Sequence, residues 1–254
     1  MKRAVDGPSF AGAAPARCGG GRCHPCWGWV RGRGVPRLRR MMISADALLF
    51  DMDGTLVDSG PVVEECWATW AAEYGISPEQ LAAKAGHGIP ARQIAAALLP
   101  PEDVVAAVAR IEQLEIDRVA GLRVLPGTRE LLAVLPDDAW AIVTSCTRAL
   151  AEARLKAVGL EAPTLVTADD VSRGKPDPEP FELGAKLLGV AVDRCVVFED
   201  APAGLAAARD AGASTVAVTT THGAADLEAD VVVDDLARVA VGPGVGGGVV
   251  VSAG

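Results

Sequence analysis

LLFDMDGTLVDS, residues 48–59, is the stretch that determines how the rest of the chain is interpreted. Its leading apolar residues, Leu48 to Phe50, are typical of a short strand buried on both faces. Asp51 follows at the carboxyl end of that strand, the edge at which open α/β sheets bind ligands. Because side chains alternate along an extended backbone, Asp51 and Asp53 point the same way if the extended geometry continues.

Two carboxylates that converge on one pocket repel each other, which is costly without a cation or a shared proton. A hard divalent cation such as Mg2+ prefers oxygen ligands, so the paired acids are candidates for a metal site. A strand that ends in a polar Asp-Gly turn also explains the DxDG pattern. The remainder of the chain has to distinguish these interpretations.

The composition is that of an ordinary globular protein, with 254 residues, of which 50% are hydrophobic and 22% charged. The net charge of -9 is unevenly spread, since residues 1–42 carry nine Lys or Arg against one Asp. An acidic remainder argues against a nucleic-acid partner, because phosphate backbones require a basic surface. No stretch reaches about 18 uninterrupted apolar residues, so no membrane-spanning helix is expected.

Residues 1–42 are rich in Gly, Pro and Arg and show no periodicity, which predicts a disordered N-terminal extension. Cysteines spaced C-x4-C-H-x-C at 18–26 offer metal ligands, but no second pair completes a structural zinc site. The six cysteines form no disulfide pattern, so we expect a reducing cytoplasm. We also hypothesise that translation starts at Met41 or Met42, which N-terminal mass spectrometry would test.

After Ser59 the periodicity becomes helical. Residues 61–75 place Val63, Trp67, Trp70 and Tyr74 at helix spacing, and further helices are predicted at 77–85, 91–99 and 102–121. Residues 61–122 therefore predict an all-helical insertion, called the helical cap below. The tryptophans are candidates to line a substrate pocket or, as an alternative, to pack inside the cap.

One irregular piece, AGHGIPARQ at 85–93, interrupts the cap helices. His87 and Arg92 in this piece are candidates to contact a substrate that enters beneath the cap. The alternatives are a loop histidine between helices and a solvated helix charge. Lys84 is the one lysine of the predicted cap and is interpreted as a solvated charge.

From Leu125 onward, strand and helix patterns alternate. Strands are predicted at 140–145, 164–170, 194–200, 214–218 and 229–235, and helices at 126–135, 147–160, 178–190 and 201–212. This alternation predicts an α/β fold, a Rossmann-like parallel sheet flanked by helices, with the core domain at 43–60 and 123–240. The Gly-rich residues 241–254 are expected to form a flexible tail.

Three strands end in polar residues: the first in Asp51 and Asp53, the second in Thr144 and Ser145, and the fourth in Glu199 and Asp200. The carboxyl ends of parallel strands share one edge of the sheet. Lys175 lies before a helix, in a segment whose backbone Pro176 and Pro178 restrict. A carboxylate nucleophile, a lysine, hydroxyl donors and a metal held by acids are what phosphoryl transfer needs.

Four motifs stand in order: FDMDGTLVDS, IVTS, GKPDPEP and VVFEDAPAG. With them the chain resembles the haloacid dehalogenase-like hydrolases, in the subgroup with a helical cap inserted after the first strand. The resemblance covers roughly residues 47–235. FEDAPAG, GKPDPEP and TSCTR are most similar to the sugar- and polyol-phosphate phosphatases of that subgroup.

The resemblance implies that Asp51 attacks phosphorus and forms an aspartyl-phosphate. It implies that Asp53 protonates the leaving alkoxide and later activates water. Thr144 would bind a phosphoryl oxygen together with the backbone N–H of Ser145, and Lys175 would offset negative charge. The alternatives are that Thr144 only caps its strand and that Lys175 is a solvated loop residue.

The resemblance also implies an Mg2+ cofactor held by Asp51, the carbonyl of Asp53 and Asp200. Glu199 would bind the metal directly or through water, or would only orient Asp200 or a bound water. Dehalogenases of the family lack an acid at the position of Asp53, because a halide leaves without a proton. Asp53 therefore favours phosphate esters.

The sequence thus predicts a Mg2+-dependent phosphatase that acts on a small phosphorylated metabolite, a sugar or polyol phosphate. The alternative enzyme is a β-phosphoglucomutase-like mutase, in which the phosphoryl group returns to sugar. A non-enzymatic interaction module would have lost a catalytic group, and all of them are present. The oligomeric state is not readable from the sequence.

Overall fold

The computed structural model describes residues 41–86, 89–244 and 248–253, all within one compact unit that spans 37–254. The first half of this unit contains β1 (Met41–Ala45), β2 (Ala47–Phe50), β3 (Val57–Asp58), α1 (Gly60–Glu73), α2 (Pro78–Ala82), α3 (Ala91–Leu98), α4 (Val104–Asp117) and β4 (Arg123–Val124). No helix in the described ranges is long and apolar enough to cross a membrane.

The second half alternates strands and helices, as predicted. It contains α5 (Thr128–Leu132), β5 (Trp140–Val143), α6 (Arg148–Val158), β6 (Leu165–Val166), α7 (Glu179–Leu187), β7 (Cys195–Glu199), α8 (Pro202–Asp210), β8 (Ser214–Val218), β9 (Val231–Val233), β10 (Val239–Pro243) and β11 (Val249–Ala253). Short 3-10 turns lie at Asp137–Ala139, Ala168–Asp170, Val192–Arg194, Ala224–Asp226 and Leu236–Arg238.

A six-stranded sheet in the order β6-β5-β2-β7-β8-β9 forms the core, and all of its pairings are parallel. The central strand β2 is completely buried. Leu48 and Phe50 pack with α5 and α6 on one face, and Leu49 packs with α7 and α8 on the other. Each face removes apolar side chains from water, which is the main favourable contribution to folding. The predicted fold class, including the helical cap, is confirmed.

The helices α1 to α4 share an apolar core of their own. Trp67 and Trp70 contribute to it with ring centroids 5.1 Å apart, and the Trp70 indole N–H donates to the Ala107 carbonyl at 2.9 Å. Both tryptophans therefore pack inside the cap. The short antiparallel pair β3–β4 carries the chain into and out of the cap side by side. The precise domain boundaries stay a prediction.

The chain end differs from the expected flexible tail. β10 and β11 pair antiparallel, and β11 also pairs with β1, which gives a three-stranded sheet. Glycines are concentrated between the two strands, whereas β-branched valines dominate β11. The glycine content averaged over the whole segment therefore hides the strand signal of β11. Met41 and Met42, placed by the sequence in the N-terminal extension, belong to β1. The cysteine motif at 18–26 lies outside the described residues.

Candidate active site

Asp51 and Lys175 meet at the carboxyl edge of the parallel sheet. The Asp51 backbone N–H donates to the Phe198 carbonyl at 2.9 Å, which fixes the chain as it leaves β2. The Lys175 ammonium donates to Asp51 Oδ1 at 2.6 Å, to Glu199 Oε1 at 2.9 Å and to the Val143 carbonyl at 2.9 Å. The side chain of Lys175 is only 6% exposed, so it is not a solvated loop residue.

Three buried acids cluster beside this lysine, which contacts two of them, Asp51 and Glu199. Oxygen atoms of Asp51, Glu199 and Asp200 all lie within 4.8 Å of one another. Burial raises the pKa of Asp51 well above its ordinary value; Lys175 opposes the rise, and Glu199 and Asp200 add to it. Burial lowers the pKa of Lys175, but the attraction of Asp51 and Glu199 outweighs burial and raises it overall. Crowded carboxylates of this kind fit a hard divalent cation, which takes oxygen ligands.

Glu199 is held by donors from the protein on both oxygens. Its Oε2 accepts the backbone N–H groups of Asp200 at 2.8 Å and Ala201 at 2.7 Å, while Lys175 contacts Oε1. Gly204, in the first turn of α8, leaves room for this carboxylate, since a Cβ there would lie 1.7 Å from Oε1. These contacts favour an orienting role for Glu199 over direct metal ligation.

Asp200 is enclosed by hydroxyl groups. Thr55 donates to its Oδ1 at 3.2 Å, and the Thr221 hydroxyl donates to its Oδ2. Gly54 adopts φ +87 and passes so close that a Cβ would meet Oδ2 at 2.3 Å, so the motif requires glycine there. His222 also contacts the Asp200 carbonyl through Nδ1, at 3.0 Å.

Sequence reasoning missed the Thr221 and His222 contacts. These residues follow β8 at the same sheet edge, and the rule that polar residues collect at strand ends would have identified them.

Thr144 is buried directly after β5, and Ser145 is exposed beside it. The Thr144 N–H donates to the Val166 carbonyl at 2.9 Å, and its Oγ1 accepts the Cys146 N–H at 3.1 Å. The hydroxyl thus shapes the turn after the strand and still has its own proton to donate. Its role towards phosphate stays a prediction.

Asp53 makes a separate set of contacts from Asp51. Its Oδ1 forms an ion pair with Arg154 Nη1 at 2.6 Å, and the Cys146 thiol donates to Oδ2 at 3.1 Å. Arg154 Nη2 in turn contacts Glu115 Oε2 of α4 at 2.8 Å. The predicted role of the Asp53 carbonyl as a metal ligand stays a prediction.

Sequence reasoning also missed Arg154. The signal was present, because Arg154 falls on the face of α6 that carries the buried Leu150, Ala151, Leu155 and Val158. A charged residue on an otherwise apolar helix face indicates a buried partner.

Of the cap candidates, Arg92 and Lys84 make none of the contacts described above. Arg92 and Lys84 are exposed, on α3 and after α2 respectively. His87 lies outside the described residues. The predicted substrate contacts of His87 and Arg92 therefore stay predictions.

Comparison with known proteins finds similarity to hydrolases, including named phosphatases. The family model of the haloacid dehalogenase-like hydrolases matches residues 45–212. The chain is 42% identical to hexitol phosphatase A of Escherichia coli over 76% of its length and 92% of that protein's. It is 36% identical to 2-deoxyglucose-6-phosphate phosphatase 1 of Saccharomyces cerevisiae, over 78% and 91% of the two chains. A hydrolase from Pseudomonas syringae superposes with a TM-score of 0.66 at 29% identity, covering 75% and 94%.

Proposed function

The chain belongs to the haloacid dehalogenase-like hydrolases and is a phosphomonoester hydrolase, and we propose that it hydrolyses small sugar or polyol phosphates with Mg2+. The observation that carries the proposal is the buried contact of Lys175 with Asp51, beside Glu199 and Asp200. This arrangement supplies a nucleophile, a counter-charge and a cation-binding acid at one sheet edge. The names of the hexitol and 2-deoxyglucose-6-phosphate phosphatases support the substrate class.

In the first step, a carboxylate oxygen of Asp51 attacks phosphorus, and the bond from phosphorus to the ester oxygen breaks. Asp53 donates its proton to the departing alkoxide, so a neutral alcohol leaves and an aspartyl-phosphate remains. Lys175 offsets the charge of the approaching phosphate. The Thr144 hydroxyl and the Ser145 backbone N–H donate to phosphoryl oxygens.

In the second step, the Asp53 carboxylate takes a proton from water, and the water oxygen attacks phosphorus. The bond from Asp51 to phosphorus breaks, which releases inorganic phosphate and restores both acids to their starting states. Asp51, Asp200 and the Asp53 carbonyl, with Glu199 nearby, would hold Mg2+, and the bound cation would supply positive charge that offsets the charge of the anionic substrate.

We place substrate selection in the helical cap. A small helical cap that closes over the sheet edge excludes water and admits small molecules more readily than phosphoproteins. His87 and Arg92 are the proposed cap contacts to the alcohol portion. We also propose a cytoplasmic location, in keeping with the free thiols of Cys66, Cys146 and Cys195.

The proposal is tested by measuring phosphate release from a panel of phosphorylated hexitols, hexoses and glycerol, with and without Mg2+. We expect Mg2+-dependent release that Asp51→Asn abolishes and that Asp137→Asn, a change at an exposed turn, leaves intact. Retained activity in Asp51→Asn would overturn the mechanism. With glucose 1-phosphate, formation of glucose 6-phosphate in place of free phosphate would identify a mutase.

A further inference from the structure

Arg154 is a buried charge to which the proposed reaction assigns no role. It lies in the middle of α6, and its side chain is 5% exposed. Removing a guanidinium from water is unfavourable unless hydrogen-bonding or charged partners compensate it. The groups that contact the Arg154 guanidinium therefore indicate why it is buried.

The guanidinium connects the acid/base residue to the helical cap. Nη1 contacts Asp53 Oδ1 at 2.6 Å, and Nη2 contacts Glu115 Oε2 at 2.8 Å. The Cys146 thiol contacts both Arg154 and Asp53. It accepts from Arg154 Nη1 at 3.3 Å and donates to Asp53 Oδ2 at 3.1 Å. Burial raises the pKa of the Cys146 thiol well above its ordinary value, so the thiol keeps the proton that it donates.

A second contact joins α6 to α4, the cap helix that carries Glu115. The Thr147 hydroxyl, at the N-cap of α6, donates to the Glu112 carboxylate of α4. Glu112 and Glu115 are three residues apart, which places them on one face of α4. The cap thus meets the core beside Asp53 through two acidic side chains from a single helix.

We propose that Arg154 is a positioning residue, which holds the Asp53 carboxyl in place and is itself anchored by Glu115 of the cap. The proposal deepens the proposed function and rests on it, because it gives Asp53 its orientation for proton transfer. The planar guanidinium presents donors in a fixed fork and can meet an oxygen of each of two carboxyl groups at once, whereas a lysine ammonium is a point charge on a flexible stem. The cap thereby contributes to the geometry of the acid as well as covering the site.

The choice of leaving group distinguishes a positioning role of Arg154 from a merely structural one. An alkoxide from a sugar or polyol needs a proton as it departs, but p-nitrophenolate is a stable anion that leaves without one. Misplacing Asp53 should therefore slow an alkyl phosphate more than p-nitrophenyl phosphate in the first step. General loss of structure would slow both reactions equally.

The experiment compares Arg154→Met, Arg154→Lys and Glu115→Gln with two matched controls, Lys156→Met on α6 and Asp117→Asn on α4, both exposed. Single-turnover nitrophenol release is compared with single-turnover hydrolysis of the best alkyl phosphate of the panel. We expect the ratio of alkyl to aryl rate to fall about 10- to 100-fold in Arg154→Met, given that general acid catalysis contributes 10²–10⁴-fold. Smaller falls are expected in Arg154→Lys and Glu115→Gln, and none in the controls.

Since Glu115 acts through Arg154, the double variant Arg154→Met with Glu115→Gln should show the same ratio as Arg154→Met alone. An unchanged ratio in both Arg154→Lys and Arg154→Met, measured on protein with a cooperative thermal transition, would overturn the proposal. The Asp53→Asn variant tests the assignment of Asp53 as the acid separately from the positioning role of Arg154. If Asp53→Asn leaves the ratio unchanged, the assignment of Asp53 as the acid fails; if it lowers the ratio and the Arg154 variants do not, only the positioning role fails.

Discussion

The ammonium of Lys175 touches two of the three acids that crowd the sheet edge, Asp51 and Glu199. Lys175→Met keeps most of the side-chain volume but leaves these carboxylates without their counter-charge. We expect kcat to fall at least about 10²-fold, because preorganised charge of this kind is typically worth 10²–10³-fold. We also expect a lower melting temperature, since breaking a buried ion pair leaves unpaired charge.

Steady-state phosphate release and thermal unfolding of Lys175→Met are to be measured beside Lys186→Met, an exposed residue of α7. A Lys175→Met enzyme with the kcat of Lys186→Met would show that Lys175 is not part of the chemistry.

The same residues show what a sequence can predict at this scale. Asp51, Glu199 and Asp200 each lie at or directly after the carboxyl end of a buried strand, so the geometry of parallel sheets brings them together without knowledge of their partners. The apolar face of α6 marks Arg154 as buried but does not identify its partners. The position of Arg154 depends on Asp53 and Glu115, which lie far away in sequence and meet only when α4 packs against α6. Long-range pairing of this kind is not encoded in local periodicity.

The alternating strands and helices of the core domain are predictable because each has a short, strong apolar pattern. β11 is not, because its valines adjoin a glycine run that dominates the local composition. The structure places Val251 of this strand at 1% exposure, packed into the core cluster beneath α5. The terminal hairpin is therefore part of the folded core domain.

This packing predicts that Val251→Ala lowers the free energy of unfolding by about 1–3 kcal/mol, through lost burial and a residual cavity. Val250→Ala, on the neighbouring and more exposed residue, should cost less than half as much. Urea unfolding measures both variants. Equal, negligible effects would support the flexible tail that composition suggests.

The contact between α4 and α6 predicts a pH dependence of stability. Burial raises the pKa of Glu115 from 4.5 to about 7, although Arg154 opposes the rise. Between those two pH values the folded state holds a proton that the unfolded state has released. The stabilisation by neutral Glu115 is therefore complete below about pH 4.5 and is lost as the pH rises towards 7.

Glu115→Gln has no such proton to lose. The free energy of unfolding of Glu115→Gln relative to the original protein should thus increase between pH 5 and 7 and level off above. Urea unfolding at pH 5, 6, 7 and 8 gives this difference, and Asp117→Asn serves as the exposed control on α4. Parallel stability curves for Glu115→Gln and the original protein would contradict the raised pKa.

Folding brings acids from distant parts of the chain together beside one lysine. Asp51 directly follows β2, the first strand of the core sheet, and Asp200 directly follows β7, with the helical cap between them in sequence. A cation bound by both Asp51 and Asp200 would connect the parts of the core domain that precede and follow the helical cap in sequence. Because such a site exists only in the folded chain, Mg2+ binding should stabilise the fold by mass action.

We expect EDTA to abolish phosphate release and added Mg2+ to restore it. In the absence of substrate, saturating Mg2+ at about 100 times its dissociation constant should add roughly 2.7 kcal/mol to the free energy of unfolding. Asp200→Asn should lose this gain, whereas Asp210→Asn, exposed at the end of α8, should keep it. Thermal unfolding with and without Mg2+ makes the comparison independent of turnover. Equal Mg2+ stabilisation of both variants would mean that the cation binds elsewhere, and the crowded acids beside Lys175 would then need a shared proton to relieve their repulsion.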